Sequence, residues 1–244
     1  MPLLVIFSGF ILITLVFFLI LSREQKEKNE LFSILAHKLR SPIAIIRWYT
    51  ELLSDESTGN LSRQQKQYLS EINTADEKLN EAICLLTAYL QSQSNTLIVN
   101  PEKANLRYLI GPVVKKLQSR VKKHKFNLRE IYPKEQEAVI QVDTKLLTMT
   151  LSSLIENVIK HNAENGNIDI EVAFLNKKAL IKIIASAYCV PEQKSSRTLT
   201  NSVSFKNLDF DLHLVKSILK KIKADINLKP GKDERMTFSV ILPI

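Results

Sequence analysis

FSILAHKLRSPIAIIRWYTELL, residues 32–53, is the stretch on which the fold is decided. Together with Leu31, its apolar residues fall at Leu35, Leu39, Pro42, Ile45, Tyr49 and Leu52. Steps of three and four residues repeat without a break, which lines these side chains along one seam of an α-helix. The helix is expected from Asn29 to Leu53, ending where SDESTGN (54–60) gathers turn formers. Pro42 lies inside it, where a proline removes a backbone hydrogen bond and crowds the carbonyl of residue 38, at about 3 kcal/mol. One turn earlier comes His37, at the edge of the seam and expected to face solvent. A loosened helix that presents an imidazole suits nucleophilic chemistry on that ring. Periodicity alone favours the plainer reading, a surface histidine beside an incidental proline.

Downstream, LSRQQKQYLSEINTADEKLNEAICLLTAYLQSQ (61–93) carries Tyr68, Ile72, Ala75, Leu79, Ala82, Leu86 and Tyr89 with the same spacing. Two antiparallel helices bury too little by themselves, so residues 23–95 are expected to pair with a second hairpin as a dimeric four-helix bundle. Upstream, the first 22 residues carry no charge, and LLVIFSGFILITLVFFLIL runs from Leu3 to Leu21. Those residues would make a helix of about 28 Å, against a hydrocarbon core of about 30 Å. No positive n-region and no small-residue cleavage site mark a signal peptide. Residues 1–22 therefore read as a single-pass transmembrane helix, and Arg23, Lys26 and Lys28 behind it put the following domains on the cytoplasmic side. With Met1 and Pro2 ahead of the span, no extracytoplasmic sensor domain is expected on this reading. Two cysteines, Cys84 and Cys189, build neither a disulfide framework nor a four-thiolate zinc site, and reduced thiols suit the cytoplasm.

After Gln93 the pattern changes to short strands and amphipathic helices. Strands are expected at TLIVN (96–100), KFNLREIY, AVIQV, IDIEVAFL, ALIKIIASAY, INLKP and RMTFSVILP. Helices are expected over Asn105–Lys123, over 142–162 with Asp143 or Thr144 as its cap, and over Asp209–Lys223. IDIEVAFL and ALIKIIASAY should form a hairpin across Asn176, Lys177 and Lys178. The fold class expected for the whole is thus a helical hairpin followed by an α/β sandwich over residues 96–244. Net charge is +9, with clusters such as Lys122, Lys123, Lys125 and Lys220, Lys221, Lys223. These read first as solvated helix faces, and they could also meet anionic lipid or an acidic partner. Nothing in finger spacing or aromatic-basic interleaving points to nucleic acid. His124, His161 and His213 lack metal-ligand spacing.

These residues resemble sensor histidine kinases. The stretch 32–53 is similar to the family's H-box, a phospho-accepting histidine followed by Leu-Arg and Ser/Thr-Pro, and 61–93 to its second dimerisation helix. The resemblance makes His37 the phospho-acceptor. It makes residues 96–244 a Bergerat-type ATP-binding domain, and LSSLIENVIKHN (151–162) its N-box. Asn157 then matches the asparagine that holds Mg²⁺ on the ATP phosphates, and Lys160 the basic residue near them. Ser153 stands where many members carry a further asparagine. An amide oxygen is a suitable hard ligand for Mg²⁺.

The other nucleotide motifs depart from the family. Its Asp-x-Gly-x-Gly is here ASAYC, so Ala185 replaces the aspartate that binds the adenine amino group, and Ala187 and Cys189 replace glycines. β-Carbons arise where the backbone would approach the nucleotide. Its Gly-x-Gly-Leu-Gly-Leu loop is here NLDFDL (207–212), with Asn207, Asp209 and Asp211 at the glycine positions. Backbone amides at such a loop cradle phosphates, whereas two carboxylates repel them. The chain as a whole is glycine-poor, with five against about 17 for average usage at this length. Lys38 takes the place of the acidic residue that in the family orients and deprotonates the imidazole, and a cation there opposes a cationic phosphorylation intermediate.

The expected function is accordingly a membrane-tethered histidine-kinase-like protein of two-component signalling, a pseudokinase, phosphotransfer protein or dimerisation scaffold, with no nucleotide cofactor. Its expected partners are a second kinase chain, as homodimer or heterodimer, the receiver domain of a response regulator, and the membrane. The alternatives are an active sensor kinase that phosphorylates His37 with ATP and Mg²⁺ at Asn157, and a non-catalytic adaptor in which His37 is inert.

Overall fold

A computed structural model describes residues 32, 34–55, 59–133, 139–162, 165–175, 177–186, 188, 210–231 and 235–244. The expected transmembrane helix lies outside these residues, and among them no helix is long and apolar enough to cross a membrane. The chain divides into two compact units, Met1–Thr96 and Leu97–Ile244.

The first unit is a helical hairpin. Helix α1 covers 34–54 and continues through Pro42; helix α2 is Arg63–Gln93. A capping box starts α2. The Ser62 hydroxyl accepts from the Gln65 N–H at 3.2 Å, and the Gln65 side chain accepts from the Ser62 N–H at 2.8 Å, which satisfies two donors that a helix start leaves open. On α1 the buried residues are Ala36, Ile43 and Thr50; on α2 Leu69, Asp76, Ile83 and Leu90 recur at the same seven-residue interval. Ala36, Ile43 and Ile83 form one apolar cluster. Arg40 donates to Thr87 Oγ1 at 3.2 Å, and the Arg47 Nε to Asp76 Oδ2 at 2.9 Å. Each step forward on α1 thus meets a step back on α2. The seam read from the sequence is a different stripe, because Leu35, Leu39, Ile45, Tyr49, Leu52 and Leu79 all remain exposed in the single chain. Each helix carries two stripes, and the one built around small Ala36 lets the hairpin close.

The second unit is α/β. A five-stranded sheet runs in the order β2-β4-β5-β7-β6, with β2 Asn127–Ile131, β4 Asn167–Leu175, β5 Lys178–Ala185, β6 Asp225–Pro230 and β7 Met236–Pro243. β2 is parallel to β4 and the other pairs are antiparallel. A separate ribbon joins β1 (Glu102–Asn105) to β3 (Val139–Val142). Alternation buries one sheet face, in rows such as Ile170–Ile183–Phe238 and Ile168–Ala185–Met236. Helices α3 (Leu106–Lys123), α4 (Thr144–His161) and α5 (Phe210–Lys221) bury their apolar stripes, with α4 between α3 and α5. A one-faced sheet and one-striped helices share a core in this way.

Asp143 caps α4, accepting from the Leu146 N–H at 3.0 Å, while its other oxygen accepts from the Asn100 N–H at 2.8 Å. This second bond explains the one misplaced strand. Residues 96–100 are β-rich in composition but not a strand. Pro101 offers no N–H, the Asn100 N–H is spent on Asp143, and pairing begins only at Glu102 opposite Val142.

Candidate functional site

His37 is exposed on α1. Its neighbour Ala36 is buried against α2, and a residue one position on along a helix turns by about 100°, so the imidazole is carried away from the hairpin interior. Lys38 and Pro42 are exposed beside it. Nearby, Leu35 and Leu39 expose nearly half of their surface. The ring thus sits on a surface that a second protein can reach.

Asn157 lies on α4 and is 4% exposed. Its Oδ1, the atom that would face a metal, accepts a buried hydrogen bond of 2.9 Å from the Tyr188 hydroxyl. Lys160 is exposed one turn later, so the structure does not turn these two residues to one common surface. Ser153 is half-buried on the same helix. Ala185 ends β5 with no exposed surface, its methyl in the core row between Ile168 and Met236. It offers a nucleobase neither donor nor acceptor. Ala187, Cys189, Asn207 and Asp209 lie outside the described residues; so does the side chain of Asp211, which falls in α5. Among the described residues, the two positions that would meet a magnesium nucleotide are thus an amide oxygen already bonded to Tyr188 and a buried methyl. Among the described residues, no three His, Cys, Asp or Glu come together as metal ligands.

Tyr188 is the residue that reading the sequence passed over. It is 6% exposed and its backbone bridges Asn162, the C-cap of α4. Its ring meets Phe238 edge-on at 5.2 Å and His161 at 5.8 Å. The available signal was an aromatic between two positions that the family keeps as glycine.

Comparison with known proteins agrees with this architecture. The His Kinase A (phospho-acceptor) domain matches residues 27–84. Sensor histidine kinase GlrK of Escherichia coli (strain K12) is 22% identical over 231 residues, which is 91% of this chain and 48% of that protein. The chain thus spans about half the length of this curated relative. Among solved structures, Acinetobacter baumannii histidine kinase AdeS superposes with a TM-score of 0.56 at 15% identity, covering 85% of this chain and 97% of that one. Histidine kinase ThkA in complex with response regulator protein TrrA gives a TM-score of 0.50 at 18% identity, covering 88% of this chain and 61% of that one. At these identities the structures speak for the fold alone.

Proposed function

The chain belongs to the sensor histidine kinase family, and we propose that within it this protein is a membrane-tethered, dimeric phosphotransfer or scaffold protein of two-component signalling that does not itself use ATP. The observation that carries the reading is Ala185, a fully buried methyl in an apolar row where the family's adenine-binding carboxylate would stand. Its consequence is chemical. A buried aspartate there would need a hydrogen-bonding partner such as the adenine amino group, whereas alanine needs none and the sheet closes over it.

Phosphoryl transfer to His37 asks for less. An aspartyl phosphate on a receiver domain is already an activated donor. The imidazole nitrogen attacks phosphorus in line, the P–O bond to the aspartate breaks, the N–P bond forms, and the ring proton passes to water. Access is the first requirement, and exposed His37 offers it. That histidine kinase ThkA is solved with a response regulator supports a receiver domain as the partner. Dimerisation is supported by the exposed stripe Leu35, Leu39, Ile45, Tyr49, Leu52 and Leu79, more large apolar surface than a lone hairpin retains in water. Anchoring rests on the uncharged run Leu3–Leu21 with basic residues behind it.

Calorimetry with Mg-ATP on the full chain tests the reading. No heat of binding is expected at millimolar nucleotide. Micromolar affinity would overturn it and favour an active sensor kinase.

A further inference from the structure

The preserved nucleotide motif and the lost one meet at a single side chain. Tyr188 belongs to the stretch that replaces Asp-x-Gly-x-Gly, and Asn157 to the N-box helix. Backbone, ring and hydroxyl of Tyr188 all engage the C-terminal half of α4 or the core beside it, through Asn162, His161, Phe238 and Asn157. An amide oxygen ligates Mg²⁺ by directing a lone pair at the ion from about 2.1 Å. The phenolic proton that Asn157 Oδ1 accepts here competes for that oxygen. A metal-bound nucleotide would have to break a buried hydrogen bond and displace a ring that packs edge-on against Phe238. The tyrosine is part of the chain and permanently at hand, so its effective concentration exceeds that of a nucleotide supplied from solution.

We propose that Tyr188 is a built-in latch on this site: its hydroxyl takes the place at Asn157 that a phosphate-bound magnesium ion would take, and its ring holds the ends of α4 and β5 closed against nucleotide. The inference rests on the ATP-independent reading and adds a second, separate cause to it. Ala185 removes the selection of adenine, and Tyr188 removes access to the metal ligand. A site that has lost only base selection could still hold a magnesium triphosphate, whereas a latched one cannot.

Thermal melting and Mg-ATP calorimetry on the full chain test the latch, with wild type, Tyr188→Phe, Tyr188→Gly, Asn157→Ala and the two Asn157→Ala double variants. Tyr188→Phe removes the hydroxyl alone and is expected to lower the melting temperature of the α/β unit by about 2–5 °C. In the Asn157→Ala background the same change should have almost no effect, because the bond is already gone. Tyr188→Gly opens the space and is expected to gain magnesium-dependent ATP binding in the millimolar range or tighter, lost again with Asn157→Ala. A Tyr188→Phe chain that melts with wild type overturns the latch, and so does a folded Tyr188→Gly chain that still ignores Mg-ATP. Should Tyr188→Gly not fold, the Tyr188→Phe and Asn157→Ala cycle decides. Either of those failures leaves the ATP-independent reading standing. Micromolar Mg-ATP binding by wild type would sink both.

Discussion

His37 on α1 stands in solvent, flanked by Lys38 and by half-exposed leucines, whereas Asn157 on α4 is 4% exposed and hydrogen-bonded to Tyr188 inside the core. Both residues match functional positions of one family, and the two units treat them in opposite ways. The difference follows from what each chemistry demands. A phospho-acceptor needs one nucleophilic atom and a clear line of approach. A nucleotide site needs a base anchor, a metal ligand and backbone amides that converge on one ligand, and each substitution among them degrades the rest. An α/β unit can therefore lose nucleotide chemistry while keeping its core rows intact, whereas a phospho-acceptor on a hairpin asks only that one side chain stay in solvent, as His37 does.

The largest effect expected from this contrast is a loss of signal. Incubated with a phosphorylated receiver domain, the full chain should take up label, and His37→Gln should take up none. Asn157→Ala should label as wild type does. Equal loss in both variants would mean that the α/β unit takes part in the transfer, and the contrast would fail.

Next comes assembly. Leu79 is exposed and Leu86 half-buried in the single chain. Replacing both by lysine should place charge in the interface between two hairpins, where an unpaired buried charge is strongly unfavourable. Sedimentation should then show a dissociated chain whose helix content is unchanged. Ile43→Ala cuts the other stripe, the one that closes the hairpin itself, and should destabilise the helices by about 2–4 kcal/mol. If Leu79→Lys, Leu86→Lys melts the helices as Ile43→Ala does, the two stripes do not have separate partners.

A smaller effect is expected at the buried ion pair. Asp76 has a side-chain exposure of 4%, and the Arg47 partner that binds it is itself 41% exposed. Among the described residues the Asp76 Oδ1 finds no hydrogen-bond partner, so Arg47 is the neighbour that compensates the carboxylate there. Arg47→Ala should destabilise the hairpin by about 1–3 kcal/mol in chemical denaturation, discounted from fully buried pairs because water reaches the arginine. Changing Arg47 to Met and Asp76 to Leu together should restore wild-type stability or exceed it.

Much of this was legible beforehand because local rules coincide with tertiary ones. Ser62 and Asp143 cap helices that the apolar period also predicts, and the β-branched, apolar runs of β4, β5 and β7 mark strands whose alternate residues the fold buries. The hairpin interior was not legible, because a helix with two apolar stripes has no mark saying which one meets its own chain. Thr50 and Asp76 at core positions also disguise the inner stripe. Residues 96–100 misled because β-propensity cannot show that a neighbouring carboxylate has claimed an N–H. Tyr188 was invisible for a related reason: its partner lies 31 positions away, and no periodicity connects them.

The smallest effect concerns Lys38, and it separates the two units most finely. Lys38→Glu restores to the hairpin the acidic neighbour usual in the family and leaves the α/β unit untouched. Both groups are exposed, and at about 6 Å in water two unit charges interact by about 0.7 kcal/mol before salt screening. Reversing the sign of Lys38 should therefore change the rate of transfer from a phosphorylated receiver by only about threefold to tenfold. The restored base should still yield no labelling from Mg-ATP, because a base next to the acceptor supplies neither the adenine anchor that Ala185 lacks nor a metal ligand clear of Tyr188. ATP-dependent labelling of His37 in the Lys38→Glu chain would show that a single residue had silenced a competent nucleotide site, and the division between a chemically live hairpin and a chemically closed α/β unit would have to be given up.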